Sequence, residues 1–187
     1  MQIGTYSLEE YLHLIKSFHG SMAPGLIIGG FMVDLAQQNL PEGEFFDALC
    51  ETRVCLPDAV QILTPCTIGN GWMKIFDTGR FALTMYEKST GEGVRVYMDT
   101  EKLKAWPQID SWYFKRIPKR EQDFEALLKE IREAATSILS TQRVFVKPEF
   151  LEKKRLGPTA VCPSCGEAYP LRDGGSCLAC QGRSPYA

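Results

Sequence analysis

Apolar side chains recur every three or four residues in three stretches of the chain, and this spacing predicts three helices. The first helix follows Ser7 and Glu10, which can form a capping box, and should end near Gly20. The second begins at Pro24, whose fixed backbone angle suits the first turn of a helix. The third covers residues 119–140, where an apolar stripe runs along one side of a charged helix.

The segments between these helices have the pattern of strands and tight turns. Residues 40–43 contain Pro and Gly and should end the second helix. A strand is predicted over residues 48–55, and a short helix over residues 57–63. Three β-rich runs separated by turn residues then predict an antiparallel meander, over 72–76, 80–86 and 94–98. Helices packed on an antiparallel sheet give the α+β class.

The 187 residues suffice for one ordinary domain and a small module. We expect a core domain over 1–142, a linker over 143–157 and a module over 158–187. No apolar run approaches the ~20 residues that span a bilayer. The N-terminus also lacks a basic segment followed by an apolar one. A cytoplasmic location without membrane association is therefore the expectation.

Four of the seven cysteines lie within the last 26 residues, in two CxxC pairs separated by eleven residues: Cys162, Cys165, Cys177 and Cys180. Thiolates at this spacing suit one tetrahedral Zn²⁺, in a small C-terminal finger such as a zinc ribbon. Iron in a rubredoxin-like site is the alternative metal. Because four cysteines leave no open coordination position, we expect a structural or protein-docking role.

The charge distribution argues against nucleic acid as a partner. Residues 1–142 contain 14 Lys+Arg and 19 Asp+Glu, a net charge of −5, and residues 143–187 contain 7 and 4, a net charge of +3. Four thiolates and one Zn²⁺ sum to −2, which offsets most of the positive charge near the finger. Nucleic-acid binding is therefore not expected.

A second group of polar and metal-ligating side chains surrounds the predicted short helix. Imidazole and thiolate groups can bind Zn²⁺, so His19, Cys55 and Cys66 are candidates for a core metal or ligand site. Supporting polar groups would come from Asp58, Gln61, Thr64 and Arg80. The alternative is that these cysteines and the histidine are ordinary packing residues.

Four stretches resemble the FmdE family, named for its association with formylmethanofuran dehydrogenase. They are FHGSMAPG at 18–25, ETRVCLPDAVQILTPCTIGNG at 51–71, DTGR at 77–80 and GEGVRV at 91–96. The resemblance implies an α+β core, a C-terminal zinc finger of treble-clef type, a dimer and an association with a molybdenum or tungsten oxidoreductase. Ser21 and Ala23 stand where the family has His and Cys, and Pro65 stands where it has Gly. The resemblance therefore implies weaker metal binding in the core than in members that keep these ligands.

Three functions fit these features. The favoured one is a metal-binding accessory protein, with one structural Zn²⁺ per chain in a docking finger and a core cleft for a second metal or a small ligand. The alternatives are a stand-alone enzyme that uses Cys55 or a metal-bound water and a zinc-finger regulator. The enzyme lacks a recognisable general base beyond His19 and Asp58, and the regulator lacks a basic surface.

Assembly as a homodimer is also expected. Gly25, Gly29 and Gly30 permit close backbone approach along the second helix, so this helix or the meander could form the interface.

Overall fold

The computed structural model describes residues 1–40, 46–152 and 157–186. The chain divides into two compact units, Met1–Leu151 and Glu152–Ala187. The first unit contains a five-stranded sheet with helices, which confirms the predicted α+β class. In these described ranges, no helix has both the length and the apolar composition that a bilayer span requires.

The first helix, α1 (Leu8–His19), begins at the predicted capping box. Ser7 Oγ accepts a hydrogen bond from the Glu10 amide at 3.2 Å, and Glu10 Oε2 accepts one from the Ser7 amide at 2.7 Å. At the other end Gly20 adopts a left-handed conformation, φ 82°, and donates to the Lys16 carbonyl. A small antiparallel pair of strands, β1 (Gln2–Ile3) and β2 (Tyr6–Ser7), precedes the helix.

The second helix, α2 (Pro24–Gln38), is the most buried helix of the first unit, with ten of its 15 residues buried. It packs against α1, against strands of the sheet and against the short helix α3 (Leu56–Leu63). The predicted terminator at residues 40–43 lies just after its last residue, and residues 41–43 are outside the described ranges.

The glycines of α2 allow this close packing within the chain itself. A Cβ atom on Gly30 would lie 2.4 Å from Cε1 of the Tyr11 ring, and one on Gly29 would lie 2.8 Å from the Ala59 Cβ. The fully buried Tyr11 donates a hydrogen bond to the Leu26 carbonyl at 2.8 Å. The close approach that these glycines permit is therefore to α1 and α3 of the same chain.

Five strands form one sheet in the order β4-β3-β5-β6-β7. All neighbours pair antiparallel except β3 and β4, which are parallel. The strands are β3 (Phe46–Cys50), β4 (Met73–Ile75), β5 (Ala82–Glu87), β6 (Glu92–Met98) and β7 (Leu139–Phe145).

The parallel pair corrects the predicted meander. The run at 72–76 does form a strand, but it does not form a hairpin with β5; it lies at the edge of the sheet beside β3. The connection from β3 to β4 contains α3 and is long enough to return the chain in a parallel direction. The predicted strand over 48–55 also ends earlier, at Cys50, because residues 51–55 form the loop that leads into α3.

The predicted helix over 119–140 is shorter than expected. Its regular part, α6 (Phe124–Ala134), begins at the capping residue Asp123, and Ala135 at φ 46° interrupts it before a 3₁₀ turn. Strand β7 follows and belongs to the sheet, so residues 143–151, predicted as linker, belong to the first unit. The remaining helices are α4 (Thr100–Leu103), α5 (Pro107–Tyr113) and α7 (Pro148–Leu151).

Substituting Gly30 by Ala tests the packing of α2. Because the added methyl group would overlap the buried Tyr11 ring, we expect destabilisation by about 2 kcal/mol, at the centre of the usual range for overpacking. Thermal unfolding should then begin several degrees lower. Gly69→Ala is the matched control, since its nearest neighbour would be the Thr67 Oγ1 at 3.9 Å. Equal melting temperatures for the two variants would contradict this account of α2.

Candidate functional site

The second unit is built around a short hairpin and two turns, each of which carries a pair of cysteines. Strands β8 (Thr159–Val161) and β9 (Ala168–Pro170) pair antiparallel, and the first CxxC turn joins them. Gly166, at φ 79°, reverses the chain in this turn, and its N–H donates to the Cys162 carbonyl at 2.9 Å. The second CxxC turn leads into a helical segment, Ala179–Arg183.

The two turns bring four sulfur atoms together. All four lie within 4.8 Å of one another, and the Sγ atoms of Cys165 and Cys177 are 3.7 Å apart. A tetrahedral Zn²⁺ with Zn–S bonds of ~2.3 Å requires S···S edges of about 3.8 Å. The cluster therefore has the dimensions of a zinc site, formed by the predicted ligands Cys162, Cys165, Cys177 and Cys180.

Backbone amides donate hydrogen bonds to two of these sulfur atoms, which favours the thiolate form that binds a cation. The Cys177 N–H donates to the Cys162 Sγ at 3.4 Å, and the Cys180 N–H donates to the Cys177 Sγ at the same distance. Amide donors from Cys177 and Cys165 lower the pKa of the Cys162 thiol to about 6. Hydrogen bonds with the neighbouring Cys177 and Cys165 thiols have the opposite effect at Cys180 and raise its pKa to about 12. Four thiolates at this spacing repel one another, and a bound Zn²⁺ would compensate this repulsion.

In the first unit, His19 and Asp58 form a direct pair. Nδ1 of His19, at the end of α1, lies 2.7 Å from Oδ2 of Asp58, in the first turn of α3. Both side chains are about 30% exposed, His19 at 29% and Asp58 at 31%. A carboxylate on Nδ1 favours the tautomer in which Nε2 carries the lone pair, so His19 presents Nε2 as an acceptor or metal ligand.

Cys55 occupies the position just before α3 and has an unusual backbone conformation, φ 57° and ψ −52°. Its half-buried thiol packs against the start of α2, where a Cβ on Gly25 would lie 3.1 Å from Sγ. Burial raises the pKa of this thiol, the Asp58 charge adds to the effect, and Lys119 opposes it. Cys55 therefore lies at the N-terminal end of α3, and the pKa of its thiol responds to the charge of Asp58.

The three candidate ligands of the core do not form one metal site. Among the described residues, the sole group of three or more His, Cys, Asp or Glu side chains with metal-site spacing is the cysteine cluster of the finger. Cys66 lies beyond the other end of α3, fully buried, with its Sγ 3.7 Å from the Phe46 carbonyl. Burial, with a smaller contribution from the neighbouring Cys66, raises the pKa of the Cys50 thiol to about 12. The structure thus places Cys66 in the core and His19 near the surface.

The predicted supporting polar groups do not lie together in one site either. The Thr64 hydroxyl donates to the Val60 carbonyl at 2.8 Å and accepts from the Cys66 amide at 3.0 Å, so Thr64 ends α3. Gln61 accepts from the Ile68 amide at 3.4 Å and supports the loop after the helix. Two of the predicted supporting residues thus contact a candidate ligand: Asp58 contacts the His19 side chain, and Thr64 contacts the Cys66 amide.

Arg80 contacts a buried carboxylate instead. Its Nε lies 2.7 Å from Glu51 Oε2, and Arg95 pairs with the same carboxylate. Glu51 is 5% exposed, and burial raises the pKa of its carboxyl group, but the two guanidinium groups outweigh burial and lower it. Glu51 and Arg95 were missed as a pair, although both lie within the motif stretches at 51–71 and 91–96. The charge of Lys119 acts on the Cys55 thiol, but Lys119 is distant along the chain, so the sequence did not indicate this interaction.

Replacing Cys177 by Ser tests the finger site. Loss of one thiolate should lower the zinc content from about one ion per chain toward zero, because metal binding and folding of such modules are coupled. The C-terminal unit should then become sensitive to protease. Cys55→Ser is the control and should keep its zinc. Elemental analysis and limited proteolysis provide the measurements, and unchanged zinc in Cys177→Ser would disprove the assignment.

Comparison with known proteins agrees with these observations. Residues 18–146 match the family model described as FmdE, molybdenum formylmethanofuran dehydrogenase operon, and residues 153–187 match the FmdE treble clef zinc finger. A crystal structure of a tungsten formylmethanofuran dehydrogenase FmdE-like protein from Syntrophus aciditrophicus is 56% identical, with a TM-score of 0.92. The match covers 100% of this chain and 98% of that chain.

A curated relative from Archaeoglobus fulgidus is described as a probable S-adenosyl-L-methionine-binding protein. It is 31% identical over 201 residues, which cover 96% of this chain and 54% of the relative. The chain thus spans about half the length of this relative. The family models together cover most of the chain, and their order matches the two units of the structure. The chain belongs to the FmdE family and carries that family's treble-clef zinc finger at its C-terminus.

Proposed function

We propose that this protein is a cytoplasmic metal-binding accessory protein and that its zinc finger docks it onto a molybdenum- or tungsten-dependent oxidoreductase. The observation that carries the proposal is the closed four-cysteine cluster on a separate unit of the chain. A site with four protein ligands has no open position for substrate, so the finger's contribution is structural or concerns binding. A reducing compartment keeps such thiols available to zinc.

The surface of the finger supports a protein partner. Several of its apolar side chains are exposed, among them Val161 at 70% and Leu171 at 48%. The described residues 157–186 contain two Arg, one Asp and one Glu, which cancel, and a zinc-bound cluster adds −2. Phosphate backbones are bound by positive surfaces, so a neutral-to-acidic finger with exposed apolar groups is better suited to a protein.

The descriptions of the relatives support the choice of partner in this proposal. Both the family description and the Syntrophus aciditrophicus protein refer to formylmethanofuran dehydrogenase, a molybdenum enzyme in the first and a tungsten enzyme in the second. We extend this association to a metal-dependent oxidoreductase in the native cell. The proposal includes a homodimer as the form that docks.

Affinity capture from the native cell with the full chain as bait tests the docking role. The bait should show the mass of a dimer by light scattering, and the captured fraction should contain molybdenum or tungsten by elemental analysis. Val161→Asp places a charge on the exposed finger surface and should reduce the captured metal at least tenfold. Val54→Asp is the matched control, because Val54 is similarly exposed, at 66%, in the first unit.

Two outcomes would contradict the docking proposal. One is capture without molybdenum or tungsten; the other is an equal loss of capture in both Val variants. Zinc content is measured in each bait, so that a loss of the finger's fold is recognised.

The His19–Asp58 pair supports a separate proposal for the first unit, that it binds a metal ion or small ligand. Asp58 holds His19 by a 2.7 Å hydrogen bond, which leaves Nε2 available in a partly exposed position. Cys55 precedes the same helix, α3, directly in sequence. The His19 imidazole and the Cys55 thiol are too few ligands for a complete metal site, so water or atoms of a small ligand would complete the coordination.

Titration of the zinc-loaded full chain tests this second site. A second equivalent of Zn²⁺, or S-adenosylmethionine as suggested by the name of the Archaeoglobus relative, should bind in a calorimeter. His19→Ala should weaken binding at least tenfold and Asp58→Asn by a smaller factor, as expected for a ligand and its supporting carboxylate. The second histidine, His13, is exposed on α1, so His13→Ala is the control and should bind like the wild type. Equal affinities for the His19 and His13 variants would contradict the site.

A further inference from the structure

We infer that Gln181 is a positioning residue of the zinc site and that its side chain sets how firmly the finger retains its metal. The inference depends on zinc in the finger, and it is independent of the partner that the finger contacts. It begins with the inter-cysteine loop, residues 166–176, of which Ala168–Pro170 form strand β9.

This loop has a high conformational entropy before metal binding. It contains eleven residues between Cys165 and Cys177, and three of them are glycines. Two of the glycines, Gly166 and Gly174, have positive φ values of 79° and 106°. A loop of this kind visits many conformations, and the cost of ordering it reduces the affinity of the four thiolates for an ion.

The Gln181 side chain restrains the loop at two points. Its Nε2 donates to the Asp173 carbonyl at 2.7 Å and to the Ser176 carbonyl at 2.6 Å. Ser176 directly precedes the ligand Cys177, so the second bond fixes the backbone from which that thiolate projects. Both amide protons of the side chain are used, and both acceptors are main-chain oxygens of the loop.

The main chain of Gln181 holds the same turn from the other side. Its N–H donates to the Cys177 carbonyl at 3.1 Å, while the neighbouring Cys180 N–H donates to the Cys177 sulfur. Gln181 therefore follows one ligand in sequence and brackets another through hydrogen bonds. Groups that orient metal ligands in this way typically change metal affinity 10- to 100-fold when they are removed.

Tyr169 supplies a second, weaker restraint on the loop. Its ring is 6% exposed, and its hydroxyl donates to the Gly174 carbonyl at 2.9 Å. Gly174 lies between the two carbonyls that Gln181 holds. Removing the hydroxyl alone should therefore have the same direction of effect as removing the amide, with a smaller size.

The rate of zinc transfer from the full chain to a chromogenic chelator tests the inference. Gln181→Ala should release zinc about tenfold faster than the wild type. Gln181→Glu should release it faster still, because an isosteric carboxylate faces two carbonyl oxygens and has no proton to donate. Tyr169→Phe should give a smaller acceleration, about threefold, as expected for one hydrogen bond.

Gln142→Ala is the matched control, because Gln142 is an exposed residue of β7 in the first unit. The absorption spectrum of Co²⁺-loaded protein shows whether each variant still provides four thiolates in a tetrahedral site. A tetrahedral spectrum together with faster zinc release supports a positioning role for Gln181. Loss of that spectrum in Gln181→Ala and Gln181→Glu, but not in Gln142→Ala, supports a role in which Gln181 is required for the four thiolates to come together.

Release rates of Gln181→Ala and Gln181→Glu within twofold of the wild type would overturn the inference while leaving the zinc site and the docking proposal intact. A wild-type protein that holds no zinc would overturn the inference together with the metal site. An unchanged capture of the oxidoreductase by zinc-loaded Gln181→Ala is expected in either case, which keeps the two proposals distinguishable.

Discussion

The close packing of α2 against α1 and α3 is the constraint on which the geometry of the first unit depends. Glycines at 29 and 30 remove the side chains that would hold the three helices apart, and a methyl group at either position would overlap Ala59 or Tyr11. With the helices at this distance, the end of α1 and the first turn of α3 are close enough for His19 and Asp58 to form a hydrogen bond. The pair is thus a consequence of helix packing, because its members are 39 residues apart in sequence.

The second unit follows a different physical logic. Among its described residues, 157–186, those that are buried are Cys162 and Tyr169. Two buried side chains form too small a core to stabilise about thirty residues by the hydrophobic effect. Backbone hydrogen bonds to sulfur and the bonds from Gln181 and Tyr169 organise the cysteines, and a metal ion would supply the missing stabilisation. The first unit is therefore held by packing, and the finger by coordination chemistry with polar bonds around it.

Local signals in the sequence were sufficient for the features that depend on local physics. The capping box at Ser7, the proline at the start of α2 and the spacing of the two CxxC pairs each act within a few residues, and each appears in the structure as predicted. The direction of β4 could not be obtained in this way, because β-rich composition at 72–76 is equally compatible with pairing to β5 or to β3. The end of α6 at Ala135 was missed for a related reason. The apolar stripe continues through Ile138 in the 3₁₀ turn and Leu139 at the start of β7, and both residues are buried in the same core.

The division of the predicted core site has a similar origin and a functional consequence. Cys55 and Cys66 flank α3 in sequence, and flanking positions of an eight-residue helix lie at opposite ends of it, ~12 Å apart at 1.5 Å per residue. The two cysteines flank α3 in the sequence, and in the structure the length of the helix holds their thiols apart.

Cys66 lies in the fully buried core beside Cys50, where burial raises the pKa of its thiol and disfavours the thiolate that a metal requires. Cys55 lies at the other end of α3, where the Asp58 charge helps to raise the pKa of its half-buried thiol after the larger effect of burial. Ser21 and Ala23 offer no soft ligand in the connection between α1 and α2, and among the described residues His19, Asp58 and Cys55 do not have the spacing of a metal site. The first unit is therefore poorly suited to a tightly held ion at this end of α3, whereas the four thiolates of the finger are suited to permanent coordination.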